Sequence, residues 1–134
     1  MTDEMSYDAK PTSALTAEVA QMLVARGWRL TTAESCTGGN LAAALCAQAD
    51  TAAFYDTGVV TFSDEAKRNV LQVRAETLAV HSAVSEACVQ EIAWNFRGQT
   101  ETKRMCFAGD CETVVAKAVR YALAALSEKL AHWQ

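Results

Sequence analysis

The sequence predicts an α/β fold, and two stretches of the chain support that prediction. Residues 31–39 begin extended and β-branched and end in two glycines, and the Ala/Leu-rich run Asn40–Gln48 that follows is typical of a helix. Phe54–Ser63 is a second strand-forming stretch whose two faces are both largely apolar or β-branched, as in an interior strand covered on both sides. The order of strand, tight turn and helix start therefore places residues 35–37 at the carboxyl edge of a sheet.

Length and composition fit a single domain with a hydrophobic core. The chain has 134 residues, 51% of them hydrophobic, and we expect one domain over residues 13–134 after a flexible tail, residues 1–12. The net charge of −4 and the scattered basic residues argue against nucleic acid or an anionic membrane surface as a partner. We expect no membrane span, because no apolar run approaches the roughly 20 residues required, and the polar first residues do not resemble a signal peptide.

The cysteines predict a reducing environment rather than a disulfide framework. They are odd in number and include no CxxC spacing: Cys36, Cys46, Cys88, Cys106 and Cys111. Four of them stand in apolar or helical contexts, where a free cysteine behaves as a small buried hydrophobe. The expected location is therefore the cytoplasm. With only two histidines in addition, no metal site is predicted.

The first half of the chain is expected to alternate between helix and strand. Pro11 begins a helix with apolar residues at helical spacing, and Gly27 ends it in the left-handed conformation. The first strand is expected over Arg29–Ala33, before the turn and helix already described. After the second strand, Ser63 or Asp64 caps a short helix over Asp64–Leu71.

The second half is expected to contain further helices and a hairpin. After a helical piece over Ala75–Val80, a helix that starts at Ser85 passes into a strand at residues 93–94 with no linker, whereas connections usually take about 2–6 residues. This join predicts that sequence is missing near residues 93–94. The strand then turns back as Thr100–Phe107, and Asp110 caps the last helix.

Candidate catalytic residues stand at the predicted sheet edge. Ser35, Cys36 and Thr37 precede the first amides of a helix, which are unpaired and slightly positive, so a nucleophile there would lie beside an anion or oxyanion site. Lys67 follows the second strand on the first turn of a helix, where the positive helix pole disfavours its cationic form and suits it as a general base. If the two strands are parallel neighbours, Ser35 and Lys67 project from the same edge.

Other interpretations of these residues stay open at this point. In one interpretation, Ser35 or Thr37 is only the N-cap of the helix, and the two glycines only permit close helix packing. Lys67 is then a solvated lysine paired with a neighbouring carboxylate. In a further interpretation Cys36 is the reactive group, as a thiol nucleophile or redox sensor at a helix start.

Motifs in the order found here resemble the CinA C-terminal domain family, which includes the nicotinamide mononucleotide deamidases. The motifs are Glu34–Gly39 (ESCTGG), Gly58–Lys67 (GVVTFSDEAK), Val84–Glu86 (VSE) and Phe107–Asp110 (FAGD). The resemblance covers the chain from about Ala14 onward, apart from the join at residues 93–94. It implies a three-layer α/β/α sandwich with a mixed or mostly parallel sheet.

The resemblance also implies a reaction. Family members hydrolyse the carboxamide of nicotinamide mononucleotide, a small-molecule nucleotide substrate, to nicotinate mononucleotide and ammonia, and no cofactor is implied. By the family's pattern Ser35 would be the nucleophile and Lys67 its base or proton relay, while loop amides hold the oxyanion or the nucleotide phosphate. The substrate-binding residues would be Cys36, Thr37, Gly38 and Gly39. Members often occur as small homo-oligomers, a state that the sequence itself neither favours nor opposes.

The chain departs from the family's pattern at two points. Phe62 stands where active members carry a tyrosine that completes a Ser–Tyr–Lys set, and phenylalanine cannot donate, accept or transfer a proton. Nothing matches the family's Gly/Pro-rich loop, since Pro11 is the only proline and no glycine lies between Gly58 and Gly98. A second function therefore stays open, that of a catalytically impaired relative that keeps the fold and binds a nucleotide or a protein partner.

Overall fold

A computed structural model describes residues 10–69, 89–96, 98–107 and 109–132 of the chain. The elements in order are α1 Thr12–Arg26, β1 Leu30–Glu34, α2 Asn40–Cys46, β2 Tyr55–Val60, α3 Asp64–Asn69, β3 Val89–Phe96, β4 Gln99–Cys106 and α4 Cys111–His132. Residues 1–9 of the tail predicted over residues 1–12, the helical piece Ala75–Val80 and the helix start at Ser85 lie outside the described residues. None of the described helices has the length and apolarity needed to cross a bilayer.

Helix α1 ends as the sequence predicts, at Gly27. This glycine has φ 68°, a left-handed conformation that an L side chain adopts only with strain. Its amide donates to the carbonyl of Val24 at 3.1 Å, and the amide of Trp28 donates to the carbonyl of Leu23 at 2.9 Å. These bonds satisfy carbonyls that the helix end leaves unpaired, and they turn the chain back towards β1.

Strands β1 and β2 run parallel and side by side, which confirms the predicted α/β class. Leu30 pairs with Tyr55 and Glu34 pairs with Val60, with one irregularity between Leu30 and Thr31. A backbone bond from the amide of Thr61 to the carbonyl of Glu34, 2.9 Å long, continues the pairing past the end of β2. The two carboxyl ends therefore lie next to each other.

The expectation that both faces of β2 are covered is wrong for the described part of the chain. On β1, Thr32 is buried whereas Ala33 is exposed, so the described elements cover only one face of the strand. On β2, Thr57 and Gly58 are exposed, and Val60 keeps 40% of its surface. An apolar sequence on both faces shows that a strand can be covered on two sides, but only a packed neighbour provides the cover.

Strands β3 and β4 form an antiparallel hairpin, in unbroken register from Val89 opposite Cys106 to Phe96 opposite Gln99. The helix predicted to extend to Ala93 is therefore wrong for residues 89–93, which are strand. The hairpin turn at Gly98, with φ 90°, aligns two eight-residue strands, and this cross-strand pairing outweighs the weak local preference for helix. Ala93 and Trp94 are consecutive paired residues of β3, so the predicted abrupt change from helix to strand at residues 93–94 does not occur.

The core lies where α4 packs against α1 and the hairpin. Trp94 of β3 meets Tyr121 edge to face with ring centroids 6.1 Å apart, and its indole N–H donates to the carbonyl of Ala122 at 3.3 Å. Ser127 donates to Glu18 of α1 at 2.9 Å. The helix begins with the predicted cap, since Asp110 accepts the Thr113 amide at 2.8 Å. The largest fully buried side chains are Phe54, Phe107, Leu45, Leu123, Leu130 and Val19.

Replacing Gly58 with alanine is expected to destabilise the protein by about 1–3 kcal/mol. An added Cβ would lie 2.3 Å from the hydroxyl oxygen of Tyr55, which is itself 2.5 Å from the Thr32 hydroxyl. The ring end must move, and this hydrogen bond is then lost. Urea unfolding measures the effect. In a Tyr55→Phe background, which removes the clashing oxygen, Gly58→Ala should lower the free energy of unfolding by less than half as much. An equal loss in the two backgrounds would contradict this explanation.

Candidate active site

The sheet edge brings together the two segments that carry the predicted catalytic residues. Ser35 directly follows β1, and Lys67 belongs to α3, which begins four residues after the end of β2. Because the two strands are parallel and paired, both segments leave the sheet at its carboxyl edge. Ser63 caps α3 as predicted, by accepting the amide of Ala66 at 3.0 Å.

The loop between β1 and α2 is a tight turn with two left-handed glycines. The amide of Gly38 donates to the carbonyl of Ser35, and the amide of Asn40 donates to that of Thr37, each at 2.9 Å. Gly38 has φ 60° and Gly39 has φ 95°, so both positions favour glycine over any residue with a side chain. The paired glycines of the motif therefore allow the chain to pass from strand to helix within five residues.

Glu34 is the residue at this edge that sequence reasoning missed. Its side chain is buried, with 5% of its surface exposed. One carboxylate oxygen accepts the Thr37 hydroxyl at 2.7 Å and the amide of Leu41 at 2.8 Å, and the other accepts the amide of Ala42 at 3.0 Å. An acidic residue inside a strand, directly before a turn into a helix, is the sequence signal that could have identified it.

These contacts correct two expectations about the start of α2. The first helix amides were expected to be free for an anion, yet those of Leu41 and Ala42 bind the carboxylate of Glu34. The interpretation of Ser35 or Thr37 as an N-cap is also wrong, because the cap residue is Gly39 and no side chain caps the helix from that position. A carboxylate from the preceding strand takes this role.

The loop itself keeps hydrogen-bond donors available. Ser35 is half-buried, and within the described chain its hydroxyl and the amides of Cys36, Thr37 and Gly39 make no hydrogen bond. The hydroxyl of Thr37 is already used on Glu34. Donors for a developing oxyanion would therefore come from the loop amides next to Ser35 rather than from the helix.

A second buried polar pair joins β1 to β2. The Tyr55 hydroxyl and the Thr32 hydroxyl are 2.5 Å apart, and both residues are buried. Burial raises the pKa of the Tyr55 hydroxyl, and the nearby charge of Glu34 raises it further. Tyr55 therefore stays protonated at neutral pH.

Phe62, where the family resemblance predicts a tyrosine, lies on the surface with 68% of its area exposed. Its neighbour Thr61 is buried at 4% exposure, as alternation along an extended chain requires. The Thr61 hydroxyl oxygen has no hydrogen-bond partner among the described residues. The hydroxyl of Thr61 is buried and phenylalanine has none, so neither residue presents an exposed hydroxyl at this edge.

The cysteines that the structure describes are more exposed than predicted. Cys36, Cys46 and Cys111 are free and exposed, so the expectation of burial is wrong for Cys46 and Cys111. These two residues stand at a helix end and a helix start, where an apolar sequence context does not ensure cover. In the described part of the chain, no three His, Cys, Asp or Glu side chains are grouped as metal ligands would be.

Comparisons with known proteins agree with this architecture. A family model described as the CinA C-terminal domain matches residues 12–102. A crystal structure of competence damage-inducible protein A from Klebsiella pneumoniae is 71% identical, has a TM-score of 0.86, and aligns with 93% of this chain and all of that one. A competence or damage-inducible protein from Enterobacter asburiae is 43% identical, with a TM-score of 0.86, over 90% of this chain and 99% of that one.

Two relatives from Escherichia coli K12 match most of the chain. The protein named YdeJ is 43% identical over 152 positions, covering 87% of this chain and 88% of its own. Nicotinamide-nucleotide amidohydrolase PncC is 37% identical over 149 positions, covering 84% of this chain and 90% of its own. Both alignments are longer than the 134 residues of this chain, so each relative has residues within the aligned region that this chain lacks.

Proposed function

This chain belongs to the CinA C-terminal domain family, and on that premise we propose that it hydrolyses the carboxamide of nicotinamide mononucleotide. The products are nicotinate mononucleotide and ammonia. A relative named nicotinamide-nucleotide amidohydrolase supports this reaction at 37% identity. The observation that carries the proposal is the parallel pairing of β1 and β2, which brings the segments of Ser35 and Lys67 to one sheet edge.

The proposed reaction has two stages. The Ser35 oxygen attacks the carboxamide carbon while its proton passes to the amine of Lys67, and the loop amides bind the negative oxygen that forms. When the carbon–nitrogen bond breaks, the proton returns to the nitrogen and ammonia leaves. Water then attacks the acyl ester on Ser35 in the same way, which releases nicotinate mononucleotide and restores the hydroxyl.

The direct test is ammonia release from nicotinamide mononucleotide by the purified chain, with nicotinate mononucleotide identified as the second product. We expect both products in equal amounts, without added metal or cofactor. Cys36→Ser is the matched variant, because it keeps a small polar group beside Ser35 and removes the exposed thiol. Full activity of this variant would exclude the thiol as nucleophile, whereas loss of activity would transfer the nucleophile's role to Cys36.

A second candidate function is nucleotide binding without turnover, and Phe62 is the observation that favours it. The exposed ring offers no hydroxyl to complete the proton path from serine to lysine. We also propose that the residues present in the relatives and lacking here include the family's Gly/Pro-rich loop, near residues 93–94. Calorimetry together with the ammonia assay separates hydrolysis from binding without turnover. A pure binding role gives saturable heat with the nucleotide and no ammonia.

A further inference from the structure

Glu34 joins the two ends of the loop that carries Ser35. Its backbone carbonyl accepts the amide of Thr61, which fixes the end of β1 to the chain leaving β2. Its carboxylate accepts the amides of Leu41 and Ala42, which fixes the start of α2. A single residue therefore holds the strand end, the helix start and the neighbouring strand in one arrangement.

The burial of the Glu34 carboxylate favours one conformation of the loop. A charge with 5% exposure is costly unless donors replace its water, and here three donors lie 2.7–3.0 Å from its oxygens. Two of the donors are helix amides, and the third is the hydroxyl of Thr37 in the middle of the loop. If the loop shifted, a buried charge would lose partners, so the carboxylate resists displacement of residues 35–39.

The same contacts divide the donors of the site into two groups. The helix amides are used by a negative charge, which also repels any anion that approaches the start of α2. The loop amides beside Ser35 are not used within the described chain. A neutral carbonyl whose oxygen becomes negative during reaction can bind there, whereas a phosphate at the helix start cannot.

We infer that Glu34 is the positioning residue of the nucleophile loop, holding Ser35 and the neighbouring loop amides in reactive geometry and keeping anions from the start of α2. The inference rests on the proposed function only in taking Ser35 as the nucleophile. It does not depend on the identity of the substrate.

The test uses Glu34→Gln, which keeps the shape of the side chain but replaces one acceptor oxygen with a donor. The probe is a fluorophosphonate, which forms a bond from the Ser35 oxygen to phosphorus as the phosphorus–fluorine bond breaks and the serine proton passes to the base. The labelling rate at Ser35 is measured by mass spectrometry, relative to the folded fraction. Glu18→Gln is the matched control, because this carboxylate also accepts a hydroxyl, that of Ser127, but lies on α1.

We expect Glu34→Gln to slow labelling of Ser35 about 10²-fold, and Glu18→Gln to leave it unchanged. If Glu34→Gln does not fold, Thr37→Val decides instead, since it removes one contact of the carboxylate and should slow labelling about fivefold. The inference would be overturned if Glu34→Gln, or Thr37→Val where that variant decides, were labelled at the rate of the unaltered chain. It would also be overturned if none of the proteins were labelled at Ser35. Labelling without turnover of nicotinamide mononucleotide would instead contradict the proposed substrate and leave the role of Glu34 standing.

Discussion

Replacing Ser35 with alanine is expected to abolish ammonia release, lowering kcat at least about a thousandfold. In the proposed mechanism the hydroxyl of Ser35 is the group that forms the acyl intermediate, and the hydroxyl of Thr37 is not available to replace it. Thr37 is held by Glu34 through its own hydroxyl. The measurement is ammonia production under saturating nicotinamide mononucleotide, with nucleotide binding followed separately by calorimetry.

The fold should tolerate this change. Ser35 is half-buried and its hydroxyl makes no hydrogen bond among the described residues, so the free energy of unfolding should change by less than about 1 kcal/mol. Binding of the nucleotide should also persist, because the substituted atom is small. Ammonia release at the unaltered rate would exclude Ser35 as nucleophile, and with it the serine mechanism.

Replacing Phe62 with tyrosine is expected to raise kcat about a hundredfold, the scale of one general acid–base group. In the proposed mechanism the added hydroxyl supplies a group that can pass a proton between Ser35 and Lys67, as the family resemblance predicts for a tyrosine at this position. Because the ring of Phe62 is 68% exposed, the hydroxyl can be added with little effect on packing. The same ammonia assay measures the gain.

Phe62→Leu provides the control for this prediction. It changes the apolar surface at the sheet edge without supplying a hydroxyl, so it should leave the rate close to that of the unaltered chain. A rise in both variants would attribute the effect to loss of the phenylalanine ring rather than to the hydroxyl. Absence of turnover in the unaltered chain and in Phe62→Tyr alike would favour the binding function.

Much of the first half of the fold can be predicted from sequence because its signals are local. Gly27 ends α1 through its own backbone conformation, and the glycines at the end of the loop fix the turn into α2. Ser63 caps α3 with a hydroxyl three residues from its donor. Each of these signals lies within a few residues of the structure that it determines, so competing tertiary contacts have little effect.

Other features depend on contacts between distant residues, which a single sequence does not display. Residues 89–93 become strand because β4 pairs with them, although their local pattern favours helix. The role of Glu34 depends on the loop bringing the start of α2 back to its carboxylate. The exposure of Phe62 depends on what packs over the sheet edge, and an apolar side chain does not reveal whether it is covered.

The packing of α1 against α4 also determines how the chain can fold during synthesis. Contacts between these helices join residues 104 and 109 positions apart, from Arg26 to Leu130 and from Glu18 to Ser127. At about 5–20 residues per second, α1 leaves the ribosome roughly 5–20 s before the helix that covers its apolar face. During that interval the apolar face of α1 stays uncovered, and its stable packing has to wait until α4 has emerged.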